Sequence, residues 1–439
     1  GGLTALEWLR GVAALGEEYV MLHSAAGNGA SVIGWGICKK VCAIDDQSIL
    51  GRGPLLDLAR EVGSVAFQAP HPLVGWLGYV SYDVGRTIEP VASRAVDDLR
   101  WPAVCFTLFQ KYLVLQPGGE VACFVQKRAD GSLAQVDWPE ILRHARMNPC
   151  AGAAPAKLLQ SQTRQAFEKR VEAVKQFIAA GDIYQANLAQ RWDFSCQLPA
   201  EEVFARLCEF SAAPYAACLR FEHEGILRHA VSASPELFLA VEHTDGPSRH
   251  AITRPIKGTR PRDLTDARRD EALRQELIAS AKDHAELTMI VDLLRNDLGR
   301  ISEYGSVRVV EERGVEMHPT VWHTVATIEA RLRKDAGIKE ILEALCPGGS
   351  ITGAPKIRAM QIIEQLEPQR RQLYCGNIGV IGPLGRSMGL SVAIRTILMQ
   401  QGSAYIYAGG GIVADSVASQ EYEETLVKAG AMLKALGAH

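Results

Sequence analysis

An α+β fold is the architecture that these 439 residues predict, and three observations carry the prediction. Apolar residues alternate with polar ones from Glu18 to Gln126 and again over the last third of the chain, the period of half-buried strands. Some of these runs are joined by short glycine-bearing connections such as Pro117-Gly118-Gly119, which return the chain as a hairpin and make the flanking strands antiparallel. Between them lie apolar stripes at three- and four-residue spacing, the mark of amphipathic helices.

In the first third, strands are expected at Val32–Ile37, Leu73–Val80, Val104–Leu115 and Val121–Val125, with few helices. Gly75–Asp83 alternates glycine with aromatics; the pattern either frames a small-molecule pocket or lets backbones pack closely in a core, and close packing is the commoner use. Asp130–Gln162 is poor in periodicity and holds Asn148-Pro149 and the Ala/Gly/Pro stretch Ala151–Ala156. It reads as the connection between an N-terminal region, 1–150, and a C-terminal one, 160–436, the two interleaved in one compact unit.

A helix capped at Thr163 then carries Phe167, Val171, Val174 and Ile178 on one stripe and stops at Gly181. The strand that follows sends Tyr184 and Gln185 to opposite faces. A helix at Glu201–Phe210 leads to strands at Ala217–Phe221, Ala230–Ala233 and Glu236–Val241. Glu236 follows Ser234-Pro235 and precedes Leu237-Phe238-Leu239. Its carboxyl is either desolvated, with a raised pKa suited to acid catalysis, or at the wet end of the strand.

Thr253–Arg262 reads as a rigid basic loop, setting Lys257 among Arg254, Arg260 and Arg262 with prolines at 255 and 261. It is either a solvated turn or the seat of a reactive amine. A free lysine has a pKa of about 10.4, so roughly one in 2,500 is neutral at pH 7; neighbouring cations and burial both favour the neutral form. Asp266 caps a helix to Ser280, and Asp283–Leu298 forms another, striped by Leu287, Ile290, Leu294 and Leu298, with Glu286 bordering the apolar face. Asn296 and Asp297 at its end serve a turn or hold neighbouring elements.

After strands at Val307–Val310 and on to Ile328, a helix at Lys339–Leu345 runs into the glycine-rich Pro347–Lys356. That loop lacks the closing Gly-Lys-Ser/Thr of a phosphate loop, so nucleotide binding is not expected, although amides at a helix beginning with Pro355 can hold a carboxylate. Strands are expected at Tyr374–Ile381, Met388–Leu398 and Ala404–Val413. Arg395 interrupts an apolar run and must face a polar cavity or pair with an acid. Gly409-Gly410-Gly411 ends its strand with amides free to approach a ligand. The last helix carries Tyr422, Leu426, Ala429, Leu433 and Leu436 on one stripe. Glu421, Glu424 and Lys428 share another, where two carboxylates one turn apart either meet a hard cation or form an exposed acidic face.

Composition bounds the function. An apolar content of 47% with 22% charge fits a soluble globular protein, and a net charge of -3 gives no case for nucleic-acid binding. No apolar run of about 18 residues and no charged-then-apolar leader points to a membrane or an export signal. The ten cysteines are scattered without metal-site spacing, which fits reduced thiols and a cytoplasmic location.

Taken together, the blocks Asp283–Arg300, Pro347–Pro355 and Gly409–Lys428 resemble the chorismate-utilising enzymes, and the resemblance covers Thr163–Ala435, with a weaker likeness at Leu22-His23-Ser24 and Gly75–Asp83. It implies a layered antiparallel β-sandwich flanked by helices, in which Mg2+ holds the ring carboxylate of chorismate. It implies a metal role for Glu286 and Glu421, with Glu424 close and acting through water. Substrate contacts are implied for Arg395, Tyr374, Lys428, Thr352, Gln185 and the amides of Gly409, Gly410 and Gly411, and His318 matches a histidine near the leaving side chain. Isochorismate- and salicylate-forming members use a lysine base where Gln185 stands. Anthranilate-forming members typically carry Ala where Lys257 stands in Pro-Ile-x-Gly-Thr, whereas the aminodeoxychorismate branch carries Lys. The resemblance therefore implies that Lys257 attacks the ring as a nucleophile, that Glu236 acts as the general acid, and that ammonia then displaces the lysine. No Gly-x-Cys-x-Gly elbow is present, so a separate glutamine amidotransferase subunit is the expected ammonia source.

Overall fold

One strand, Val104–Leu115, is the hub from which the sheet grows in two directions. Along one edge it pairs over its whole length with Ser31–Ala43; along the other it pairs with Trp76–Val80 through its first half and with Val121–Val125 through its second. The computed structural model describes residues 2–44, 53–67, 69–127, 131–147, 154–243 and 248–438, and within these all nineteen strands join one hydrogen-bonded network. From Ser31–Ala43 the first arm passes through Tyr19–His23, Tyr215–His223, Ile226–Ser234, Thr396–Gln400 and Ser403–Ile412 to Gln185–Ser195. From Trp76–Val80 the second arm passes through Asn377–Ile381, Met388–Val392, Leu237–His243 and Arg249–Arg254 to Val321–Leu332. Every ladder is antiparallel.

The arms fold over one another because each has an apolar inner face that water disfavours. Leu219, Ala230 and Leu398 from the first arm share a buried cluster with Leu77, Val80 and Leu239 from the second. Phe221 stands 5.5 Å from Tyr79 and 5.4 Å from Trp101, ring centre to ring centre, across that layer. The expected antiparallel sandwich flanked by helices is what forms. Folding over also brings the far ends of the two arms together: Gly411 on the first arm is bordered by Gln185 of its neighbouring strand and by Lys257 on the second arm.

Several elements differ from the expectation. The first third is not poor in helix: Ala5–Ala13 opens it with a capping box, Thr4 Oγ1 accepting from the Glu7 amide at 3.2 Å, and Pro54–Ser64 follows with proline in its first turn. The stretch expected as a bare connection holds the helix Trp138–Ala145 and the edge strand Lys157–Ser161. That helix buries only Ile141 and Ala145, and the strand is exposed throughout, so neither writes an apolar period. Asn148-Pro149 and residues 151–153 lie outside the described residues.

The basic stretch is not a loop but two successive strands, Arg249–Arg254 and Ile256–Pro261, parted at Pro255, with Gly258 at φ +84° where the register shifts. Met388–Leu398 is likewise two strands, in different arms. Arg395 at φ +51° turns the chain between Met388–Val392 and Thr396–Gln400. The strand expected from Tyr374 begins at Asn377, and the helix after the glycine-rich loop begins at Lys356 with Pro355 as its cap. In the last helix, Ala418–Ala435, the buried face is Glu421, Thr425, Ala429, Met432 and Ala435, so the apolar stripe read from the sequence is turned by about one residue.

Gly75–Asp83 serves close packing. A Cβ on Gly78 would stand 2.0 Å from the Cys105 carbonyl oxygen, and backbone cannot yield as a side-chain tip can. Gly78→Ala is therefore expected to cost at least about 2 kcal/mol by urea unfolding; an unchanged midpoint would contradict this packing.

Candidate active site

The meeting point of the two arms collects most of the residues singled out in the sequence. Glu236 starts the strand leading to His243 and is buried at 5% exposure, so the wet-end alternative does not apply. Burial pushes its carboxyl up to about 7, against the Ser350 hydroxyl, the Lys257 charge and an Ile256 backbone hydrogen bond. An acid with that pKa can hold and release a proton near neutrality.

Lys257 Nζ lies 3.7 Å from Glu286 Oε2 and borders Gly411. The three arginines expected to crowd it do not present free charge. Arg254 is paired with Glu316, Arg260 lies 2.6 Å from Glu276 and 3.5 Å from Asp283, and Arg262 lies 2.9 Å from Asp270 over the Trp322 ring. Their role is to pin this strand to its surroundings.

Glu286, on the helix Ala281–Gly299, approaches Glu421 and Glu424 on the last helix. A Cβ on Gly410 would meet Glu421 Oε2 at 3.3 Å, Glu424 Oε1 at 3.5 Å and Lys428 Nζ at 3.7 Å, so these groups border one space. Glu421 is 4% exposed and accepts from Ser416 Oγ at 2.7 Å, whereas Glu424 is exposed and forms the i,i+4 pair with Lys428 that an exposed face would show. Among the described residues no three acidic, histidine or cysteine side chains close into a ready coordination set. What stands between Glu286 and Glu421 is a cation of the chain itself, Lys282 Nζ, 4.0 Å from Glu286 Oε1 and 3.6 Å from Glu421 Oε1. Carboxylate oxygens already gathered around a positive charge fit the chemistry of a hard divalent cation.

Other groups are suited to an anion. Gly409–Gly411 lie within their strand, paired with Asn187–Ala189 on one edge and with no strand on the other among the described residues. Arg395 is half-buried, with Ser211 Oγ at 3.4 Å and no carboxylate partner among the described residues, and burial lowers its pKa. Of the two alternatives for this cation, pairing with an acid is not found among the described residues, and its charge acts on His323. A guanidinium held this way is a seat for a carboxylate. Tyr374 is buried and stacked on Tyr407 at 5.3 Å. Gln185 is fully buried with both amide atoms unpartnered among the described residues, while Tyr184 is 74% exposed, the opposition that strand alternation predicts.

Other side chains are committed within the protein. Thr352 Oγ1 donates to the Gly348 carbonyl at 2.9 Å, and Lys428 Nζ reaches the Gly409 carbonyl at 2.9 Å and Glu424 Oε1 at 2.6 Å. Lys356 is paired with Asp297 at 2.6 Å, so both hold the helix after the glycine-rich loop. His318 sits 3.7 Å from Glu316, its ring 5.1 Å from that of His323.

His323 and Ser350 were not singled out in the sequence. His323 is buried, its Nδ1 2.9 Å from Thr259 Oγ1, and burial, with Arg395 and His318 adding, pushes its pKa down to about 3, so it is neutral. The available signal was a polar residue on the inward side of an alternating strand. Ser350 carried no such signal, since its contact with Glu236 spans two distant parts of the chain.

This site, on this fold, marks a class of enzyme, and the chain belongs to the chorismate binding enzyme family, whose pattern matches residues 17–434. The aminodeoxychorismate synthase component 1 of Klebsiella aerogenes is 40% identical over 374 residues, covering 84% of this chain and 79% of that protein. The anthranilate synthase component 1 of Pseudomonas aeruginosa is 40% identical over 379 residues, covering 82% and 75%. The crystal structure of anthranilate synthase component I from Streptococcus pneumoniae TIGR4 superimposes with a TM-score of 0.76 at 28% identity, over 92% of each chain.

The raised Glu236 carboxyl has a stability signature. Unfolded it titrates near its ordinary 4.5 and folded near 7, so between these values the unfolded state holds fewer protons and stability falls as pH rises. The full penalty, about 3 kcal/mol, is present above pH 7. Glu236→Gln removes it, so the variant should gain on the wild type between pH 4.5 and 7 in chemical denaturation. A gap independent of pH would contradict the burial of this charge.

Proposed function

We propose that the protein is an aminodeoxychorismate synthase component 1, converting chorismate and ammonia to 4-amino-4-deoxychorismate for p-aminobenzoate and folate synthesis. The observation that carries the reading is a lysine and a carboxyl raised to about 7 facing one buried space, within a family of chorismate binding enzymes. The relative from Klebsiella aerogenes supports it. Lys257 favours it over anthranilate synthesis, to which the Pseudomonas aeruginosa relative lends a second reading.

In this mechanism the Lys257 nitrogen gives up its proton and attacks ring C2, the ring double bonds shift, and the C4 hydroxyl leaves as water with the proton of Glu236. Ammonia adds at C4 and expels the lysine, which divides one difficult substitution into two. Arg395 and the outer amides of Gly409–Gly411 bind substrate carboxylate, with Tyr374, Gln185, Thr352 and Lys428 shaping the same wall and His318 close to the enolpyruvyl side chain. Glu286 and Glu421, with Glu424 beside them, would hold Mg2+. Bound there, the ion neutralises the ring carboxylate and fixes its position. Ammonia comes from a separate glutamine amidotransferase subunit, consistent with the component 1 relatives. The nine described cysteines are all unpaired, which supports a reducing, cytoplasmic location.

Two outcomes follow. Incubation with chorismate should give a covalent adduct visible in the intact mass of the wild-type protein. Lys257→Ala should show none and lose at least about a thousandfold in kcat; an adduct of undiminished yield in the variant would refute the nucleophile. Activity should also fall as pH rises through about 7, when Glu236 loses the proton it donates. A rate that climbs through that pH and does not decline would remove Glu236 as the acid.

A further inference from the structure

We propose that Lys282 is a tethered counter-ion of the carboxylate cluster, its ammonium holding the space that a divalent cation takes, so that metal entry displaces it. The inference rests on the reading of Glu286, Glu421 and Glu424 as the metal cluster.

Lys282 lies in the first turn of Ala281–Gly299, four residues before Glu286, and its Nζ bridges to Glu421 on the last helix. A cation in a helix's first turn opposes the helix dipole, so local helix energetics do not account for it. Its partners do. Glu421 has no other cation in ion-pair range among the described residues, and it also accepts from the neutral Ser416 hydroxyl. A carboxylate this buried requires a compensating charge. Glu286 divides its oxygens between two lysines, Oε2 toward Lys257 and Oε1 toward Lys282. The Lys282 side chain is 52% exposed, so the ammonium can swing into water without breaking the core. The Lys282 ammonium thus links Glu286 and Glu421 until a doubly charged ion replaces it.

The test is calorimetric titration of Mg2+ into the wild type, Lys282→Met and Lys282→Arg, without chorismate, together with the melting temperature of each metal-free protein. Lys282→Met should bind Mg2+ about fivefold more tightly, the scale of a half-exposed charge pair. It should also melt lower without metal and recover in saturating Mg2+, while Lys282→Arg should bind like the wild type. Equal or weaker binding by Lys282→Met, or tightening by Lys282→Arg as well, would overturn the counter-ion role. Absence of Mg2+ binding by all three proteins would instead overturn the metal cluster itself.

Discussion

A charge removed from water must find a partner, and the site is the place where this fold leaves that requirement unmet by its own side chains. Two buried arginines elsewhere satisfy it closely. Arg371 is buried against Glu367 at 2.7 Å with the Ile351 and Asn187 carbonyls, and Arg191 lies between Asp98 and Asp193 at 2.6 and 2.7 Å. Where the arms meet, Glu236 has a serine hydroxyl, a backbone contact and the Lys257 charge, while among the described residues Arg395 has no carboxylate and the Gln185 amide no partner. A raised carboxyl, a guanidinium and a side-chain amide in one region suit the binding of a small polar anion.

The cleft depends on the sheet. Because one hub strand feeds both arms, the residues farthest apart in the ladder face each other once the apolar faces close. Lys257 and Gln185 come together in this way, although neither is near the other in sequence or in strand order. Irregularities in the strands supply the rest. Pro255 and Gly258 interrupt the strand that carries Lys257, and Arg395 sits at a positive-φ corner between strands of different arms, where its side chain leaves both ladders.

Much of this was legible in the sequence, and the failures have physical causes. Val104–Leu115 and Val121–Val125 were read to the residue, since each is a run of strand-forming apolar residues and turn residues, Pro117-Gly118-Gly119, part them. Short or exposed elements, Trp138–Ala145 and Lys157–Ser161, bury too little to leave a period. Pro-Ile-Lys-Gly-Thr looked like a loop because proline and glycine signal breaks, and here they mark a bulge within a sheet edge. The arginines around Lys257 looked like a positive field because their acids, Glu316, Glu276 and Asp270, are supplied from other elements. Of the residues singled out, Glu236, Lys257, Glu286 and Glu421 are linked by successive charge contacts, the last through Lys282. His323 and Lys282 became visible only when distance replaced sequence spacing.

The central claim is that this cleft aminates the chorismate ring at C4 and leaves the enolpyruvyl side chain in place. Mass spectrometry of the product formed from chorismate, ammonium and Mg2+ by the purified protein tests it most directly. The account predicts 4-amino-4-deoxychorismate; fluorescent anthranilate as the product would contradict it.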